Sequence, residues 1–205
     1  MTKFKITTMT NDLIKELREL TGAGILEIKQ ALAESGEDKN KAVALLRKKG
    51  ALKLGKKADR VAKEGIIEAY IHPGSKVGVL LEINCETDFV ARTEDFKNLA
   101  KDIALHIAAS NPLYIAISDV PADVLDKERE IYKAQSMEQG KGKSAEILEK
   151  IVEGKLAKYY EDACLLEQIF VKNSEIKVKD LLAESVAKIG ENIVVRRFSR
   201  FVLGS

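Results

Sequence analysis

Cysteine and histidine are scarce, with two of each in 205 residues. Cys85 and Cys164 stand far apart and fit no metal-ligand spacing, so buried thiols are expected, with a disulfide as the alternative. His72 falls in a turn and His106 on a helix, and no serine or cysteine motif is placed to use either as a base. A phosphate-binding loop is missing too, because Gly22-Ala23-Gly24 lacks the following Lys-Ser/Thr pair. Acidic residues are many but scattered at helix-surface spacing. The chemistry of an enzyme, a metal centre or a bound cofactor is therefore not expected. Long apolar runs are absent, none approaching the roughly 18 residues of a membrane span. The start, MTKFKITTMTNDL, has no apolar stretch of a secretory signal, which points to the cytoplasm. Net charge is only +2, so no bulk field announces a nucleic acid or a membrane.

The remaining composition, 45% hydrophobic and 32% charged, is that of a globular chain. Thr10 or Asn11 can cap a helix with Leu13, Ile14, Leu17 and Leu20 on one face. Thr21-Gly22-Ala23-Gly24 breaks it. A second helix carries Ile25, Ile28, Ala31 and Leu32 to Ser35-Gly36. Asp38 caps a third, with Ala42, Leu45 and Leu46, that ends at Gly50. Three short helices in residues 1–54 make a thin core, better suited to docking than to catalysis. Ile25 and Leu26 are neighbours and cannot share one narrow face, so one is expected to point outward. The run Arg47–Arg60 is dense in Lys and Arg. It reads as a solvated linker helix; RNA contact is the alternative, although no aromatics interleave to stack bases.

From Gly65 the apolar period changes to two. Ile67, Ala69 and Ile71 alternate with Ile66, Glu68 and Tyr70, His72-Pro73-Gly74-Ser75 turns the chain, and Val77–Cys85 returns as the facing strand. Gly78 leaves room for a close approach. Thr93 caps a helix with Phe96, Leu99, Ile103 and Ile107 at core spacing, His106 sits at the edge of that stripe, and Asn111-Pro112 ends it. Pro121 opens another helix with Val124, Glu128 and Ile131. The turn at 139–143 and a Ser144-capped helix with Leu148, Ile151 and Val152 complete a projecting αα-hairpin at about 121–160. Cys164-Leu165-Leu166 and Ile169-Phe170-Val171 pack it back. A last helix holds Leu181, Leu182, Val186 and Ile189, capped by Gly190, before a closing strand over 193–202. The fold class is α+β: a small helical domain at 1–54, then a core and dimerisation domain at 55–205 with an antiparallel sheet covered by helices.

Between the second strand and the next helix lies Asn84–Phe96, NCETDFVARTEDF. On residues alone, Phe89 tucking into the core and Asp88 capping a helix is the simpler reading. An exposed acidic-aromatic tip aimed at another protein is the sharper one. The motifs decide. Thr21-Gly22-Ala23-Gly24, Leu46-Arg47-Lys48-Lys49-Gly50, Asn84-Cys85-Glu86-Thr87-Asp88-Phe89-Val90, His106-Ile107-Ala108-Ala109-Ser110, Leu166-Glu167-Gln168 and Ile189-Gly190-Glu191-Asn192-Ile193, in that order, resemble the bacterial translation elongation factor Ts family over nearly the whole chain. The resemblance implies a guanine-nucleotide exchange factor for elongation factor Tu, without bond-making chemistry, cofactor, nucleic acid or membrane. It implies a ubiquitin-associated-like N-terminal domain that docks through Arg18, Ile25 and Leu26, the latter two standing where the family often has Met-Met. It implies that Thr87, Asp88, Phe89 and Val90 form a wedge, with His106, Ile189 and Gly190 as further partner contacts. Ile169 stands where the family often has proline. Longer members carry two core modules and this chain one, so a homodimer binding two partner molecules is expected.

Overall fold

The computed structural model describes residues 12–18, 20–21, 23–57, 60–139 and 144–204, without the side chains of 47, 50–57 and 139. The cap expected at Thr10 or Asn11 and the turn at 140–143 lie outside the described residues, as do the side chains of Arg47, Lys53, Lys56 and Lys57 in the basic run.

Helix α1 is helical at 12–18 and 20–21, and α2 (Ile25–Ser35) packs on α3 (Lys39–Lys57). Ile14, Leu17, Ile28, Ala31, Leu32, Ala42 and Leu46 form one buried cluster. These positions recur at three- and four-residue spacing, which puts them on the facing stripes of short amphipathic helices. Asp38 accepts from Lys41 N at 3.0 Å, as its capping position requires. Two expectations change. Leu20 is exposed, although Leu17 before it and Thr21 and Ala23 after it are buried, so the inward stripe passes it by. The third helix does not stop at Gly50 but continues to Lys57. An interior glycine costs only about 1 kcal/mol, and the residues after it, Ala51-Leu52-Lys53-Leu54, are good helix formers.

The strands β1 (Glu64–Ile71), β2 (Val77–Cys85) and β3 (Val194–Val202) form a three-stranded antiparallel sheet in the order β1-β2-β3. His72 N donates to Val77 O at 2.9 Å and closes the hairpin. Strand β2 buries Val79, Leu81, Ile83 and Cys85. In β1 the alternation resolves with Ile66, Glu68 and Tyr70 half-covered and Ile67, Ala69 and Ile71 outward. The demanding glycine of this hairpin is Gly65, at φ +144°, where a Cβ would lie 2.2 Å from Ile83 O and 2.7 Å from Asn84 Cα. At Gly78 a Cβ would meet only the Ile71 Cδ1 side-chain tip, at 3.1 Å.

A four-residue helix α4 (Asp88–Ala91) precedes α5 (Glu94–Ser110), and Thr93 caps α5 by accepting from Phe96 N at 3.3 Å. Phe96, Leu99, Ile103 and Ile107 are buried at core spacing. Pro121 opens α6 (Ala122–Gln139), which packs on α7 (Ala145–Ala163), and α8 (Val178–Ile189) precedes β3. Ile131 is exposed and Tyr132 turns inward instead, one residue further round the helix. Ser144 occupies the N-cap position of α7 without a side-chain cap bond. Tyr114 bridges Cys164 in parallel, and Ile169 bridges Lys177 in antiparallel sense. Leu165 and Phe170 pack inward as expected, while Ile169 and Val171 remain exposed. Both thiols are free and buried, which pushes each up to about 11.

The chain divides into two compact units: Met1–Tyr70 with Leu80–Ala104 and Asp180–Ser199, and Ile71–Val79 with Leu105–Lys179 and Arg200–Ser205. Among the described residues no helix is long and apolar enough to cross a membrane.

Candidate functional site

In the first unit the chain leaves β2 at Cys85 and enters α4 through Thr87, whose hydroxyl oxygen accepts from Val90 N at 3.4 Å. A four-residue helix is below the length that sustains itself, so its orientation depends on such caps and on what holds its flanks. Ala91 anchors the inner side by being buried, Val90 is half-buried, and Cys85 Sγ donates to Thr87 O at 3.1 Å. Phe89 faces outward and is 77% exposed. Asp88 pairs with Arg92 Nη2 at 2.7 Å along the same turn. Both partners are exposed, so the pair contributes at most about 1 kcal/mol and is easily redirected to another cation. A large ring held mostly in water beside a carboxylate adds little to the core. It is the composition of a contact surface.

The turn is braced from the end of α8. Gly190, at φ +93°, takes the chain out of the helix in the left-handed region and sends Glu191 back toward the turn. The Glu191 carboxylate accepts from Glu86 N and Thr87 N, each at 3.0 Å, and from Thr87 Oγ1 at 2.6 Å. Glu86 reciprocates by accepting from Asn192 N at 2.7 Å. Arg60 joins through its carbonyl, which takes Asn192 Nδ2 at 2.8 Å, and through Nη1, 3.6 Å from Glu86. Lys188 reaches Asp95 at 2.8 Å. Ile189-Gly190 and Thr87–Val90, separate in sequence, are thus brought together. Glu191, Glu86 and Asn192 hold them, and sequence reasoning gave none of these three a role. The only signal was their membership of the quoted motifs. An open polar cleft of about 410 Å³, lined by Arg60, Lys63, Asn84, Asn192 and Arg196 among others, lies at this brace.

The other expected docking residues of this unit lie on α1 and α2. Arg18 is exposed. Of the neighbours Ile25 and Leu26, both rather than one turn outward, Leu26 at 77% exposure. With Leu20 they leave apolar surface on either side of the turn between the two helices.

In the second unit His106 is fully buried, not at the edge of its stripe. Val171 N donates to Nδ1 at 3.3 Å, which assigns the proton to Nε2, 2.9 Å from the Gln168 amide oxygen. Gln168 in turn donates to Asp162 O at 2.7 Å. Burial holds the imidazole below its ordinary pKa, the Gln168 bond offsetting only part of that. The ring fixes the turn that displays Ile169 and Val171. The Ile169 bridge draws its two bonds from Phe170 N and Val178 N. It uses no N–H of Ile169 itself, so a proline at that position would cost the bridge no bond. Glu167 sits beside Lys179 at 2.8 Å; burial would raise its carboxyl, but Lys179 and Lys177 together hold it below the ordinary value. Among the described residues no cluster of three or more His, Cys, Asp or Glu could hold a metal ion.

The first unit thus carries an exposed aromatic tip on a braced turn, the composition of a protein-contact surface. A model of the family described as Elongation factor TS matches residues 5–204. Proteins named Elongation factor Ts are similar along most of their lengths. The one from Thermodesulfovibrio yellowstonii is 59% identical over 197 residues, 96% of each chain. The one from Thermotoga petrophila is 58% identical over 193 residues, 94% of this chain and 95% of that protein. The one from Carboxydothermus hydrogenoformans is 56% identical over 196 residues, 96% of this chain and 89% of that protein. The chain belongs to the elongation factor Ts family.

Proposed function

We propose that this chain acts in translation elongation as the guanine-nucleotide exchange factor of elongation factor Tu, in the cytoplasm, and makes or breaks no bond itself. The observation that carries the reading is Phe89, held in water beside Asp88 on a capped and braced turn. Docking uses Arg18, Ile25 and Leu26 of the helical domain at 1–54. The Thr87–Val90 turn then enters the partner near its nucleotide site, with Ile189-Gly190 at its flank and His106 holding the Ile169–Val171 turn. A factor that binds nucleotide-free partner more tightly than loaded partner must weaken nucleotide binding by the same ratio, because coupling is reciprocal. GDP leaves, and GTP in excess displaces the factor. The test is release of a fluorescent GDP analogue from elongation factor Tu in stopped flow. Acceleration by catalytic amounts of the chain is expected, and no acceleration at saturating concentration refutes the reading.

The working assembly is a homodimer that binds two partner molecules. Each unit leaves apolar strand residues uncovered, Ile67 and Leu80 in the first, Ile71 and Phe201 in the second, and a second copy is the self-complementary way to cover them. Light scattering at micromolar concentration should give twice 22.7 kDa. A monomer mass, unchanged by Phe201→Glu, refutes it.

A further inference from the structure

An aromatic wedge works only if the turn behind it keeps its orientation under load. Helix α4 has four residues and cannot supply that stiffness alone. The brace supplies it. One carboxylate, Glu191, takes three donors from two consecutive residues of the turn, and Glu86 returns a bond to Asn192 N. Two acids thus cross between the same two segments, with Arg60 at 3.6 Å as the cation beside Glu86. Like charges set in this way are a poor device for stability alone. The bonds lie at or just under the surface, where lost hydration offsets much of what they give to folding. What they do determine is direction. Thr87 Oγ1 donates to Glu191 and accepts from Val90 N, so the same hydroxyl joins the brace to the cap that orients Asp88 and Phe89.

We propose that Glu191 is a positioning residue for nucleotide exchange: its carboxylate ties the Thr87–Val90 turn to the end of α8 and so holds Phe89 in the orientation that enters the partner. This rests on the exchange role of Phe89 proposed above. It makes Glu191 and Asn192 the wedge's support, beside the contact proposed for Ile189-Gly190.

The test is the concentration dependence of GDP-analogue release from elongation factor Tu by the full chain. Glu191→Ala should lower the saturating rate by about five- to twentyfold and change the half-saturating concentration by less than about threefold, because docking is untouched. Glu191→Gln, whose amide oxygen still accepts the two N–H donors, should recover to within about threefold of wild type. On a Phe89→Ala background Glu191→Ala should have no further effect, because it acts through that ring. Glu191→Asp, one methylene short, should show the rate defect with an unchanged melting temperature. A wild-type saturating rate in Glu191→Ala, or in Glu191→Asp where the alanine variant does not fold, overturns the proposal. So does an equal loss on the Phe89→Ala background. A wild-type chain that fails to accelerate release refutes the exchange reading itself. Acceleration that is lost in Phe89→Ala and kept in Glu191→Ala refutes only the positioning role.

Discussion

Phe89→Ala separates folding from function most cleanly. The ring is 77% exposed, so folding buries about a quarter of it. Full burial of such a side chain is worth roughly 1.5–3 kcal/mol, and a quarter of that is about 0.4–0.7 kcal/mol. At about 2–4 °C per kcal/mol for a chain of this size, Tm should fall by about 1–3 °C. The three quarters still in water represent about 1.1–2.3 kcal/mol, available only when a partner covers the ring. If that is gained as nucleotide is expelled, its loss slows exchange about six- to fiftyfold. Stopped-flow release of a fluorescent GDP analogue from elongation factor Tu reads the rate, and calorimetry confirms that the variant still docks through Arg18, Ile25 and Leu26. Asp88→Ala should share the defect and combine with Phe89→Ala by less than the sum, because the two act at one turn. Phe96→Ala is the control: that ring is fully buried, and its loss should cost about 3–5 kcal/mol of stability. Wild-type exchange by a folded Phe89→Ala chain, or a Tm loss as large as that of Phe96→Ala, would refute the reasoning.

Leu26 is 77% exposed in the free chain, so Leu26→Ala should weaken calorimetric affinity for elongation factor Tu by ~1–2 kcal/mol while leaving Tm unchanged within error. Gly65→Ala should lower Tm by about 4–10 °C in a thermal melt, since a Cβ there meets Ile83 O at 2.2 Å and the backbone must move. His106, held neutral by burial, supports stability fully above its unfolded pKa of about 6.5 and loses that support as pH falls toward its lower folded value. The Tm difference between wild type and His106→Gln should therefore shrink between pH 7.5 and 5, and a pH-independent difference counts against the assignment.

Local pattern determined much of this protein. The three- and four-residue spacing of Leu17, Ile28, Leu32 and Leu46 sufficed to place the N-terminal core. The period of two at 77–85, the His72–Ser75 turn and the stops at Asn111-Pro112 and Pro121 sufficed for the hairpin and the helices beyond it. Each of these follows from backbone geometry within a few residues. Exposure did not follow in the same way. Ile66 and Ile67 are both apolar, and only the covering of the sheet decided that Ile67 faces outward. His106 sits one helical position from Ile107, and whether it ends at the edge or inside depended on Gln168 and Val171, more than sixty residues away. Gly50 stops a helix only where the chain gains by turning, and here continued helix formation outweighed its small cost. The quoted motifs pointed to Asp88 and Phe89 as a tip, yet its support was not legible. Glu86 and Glu191 are ordinary acids in sequence, and their reciprocal bonds exist only because the fold sets β2's exit against the end of α8.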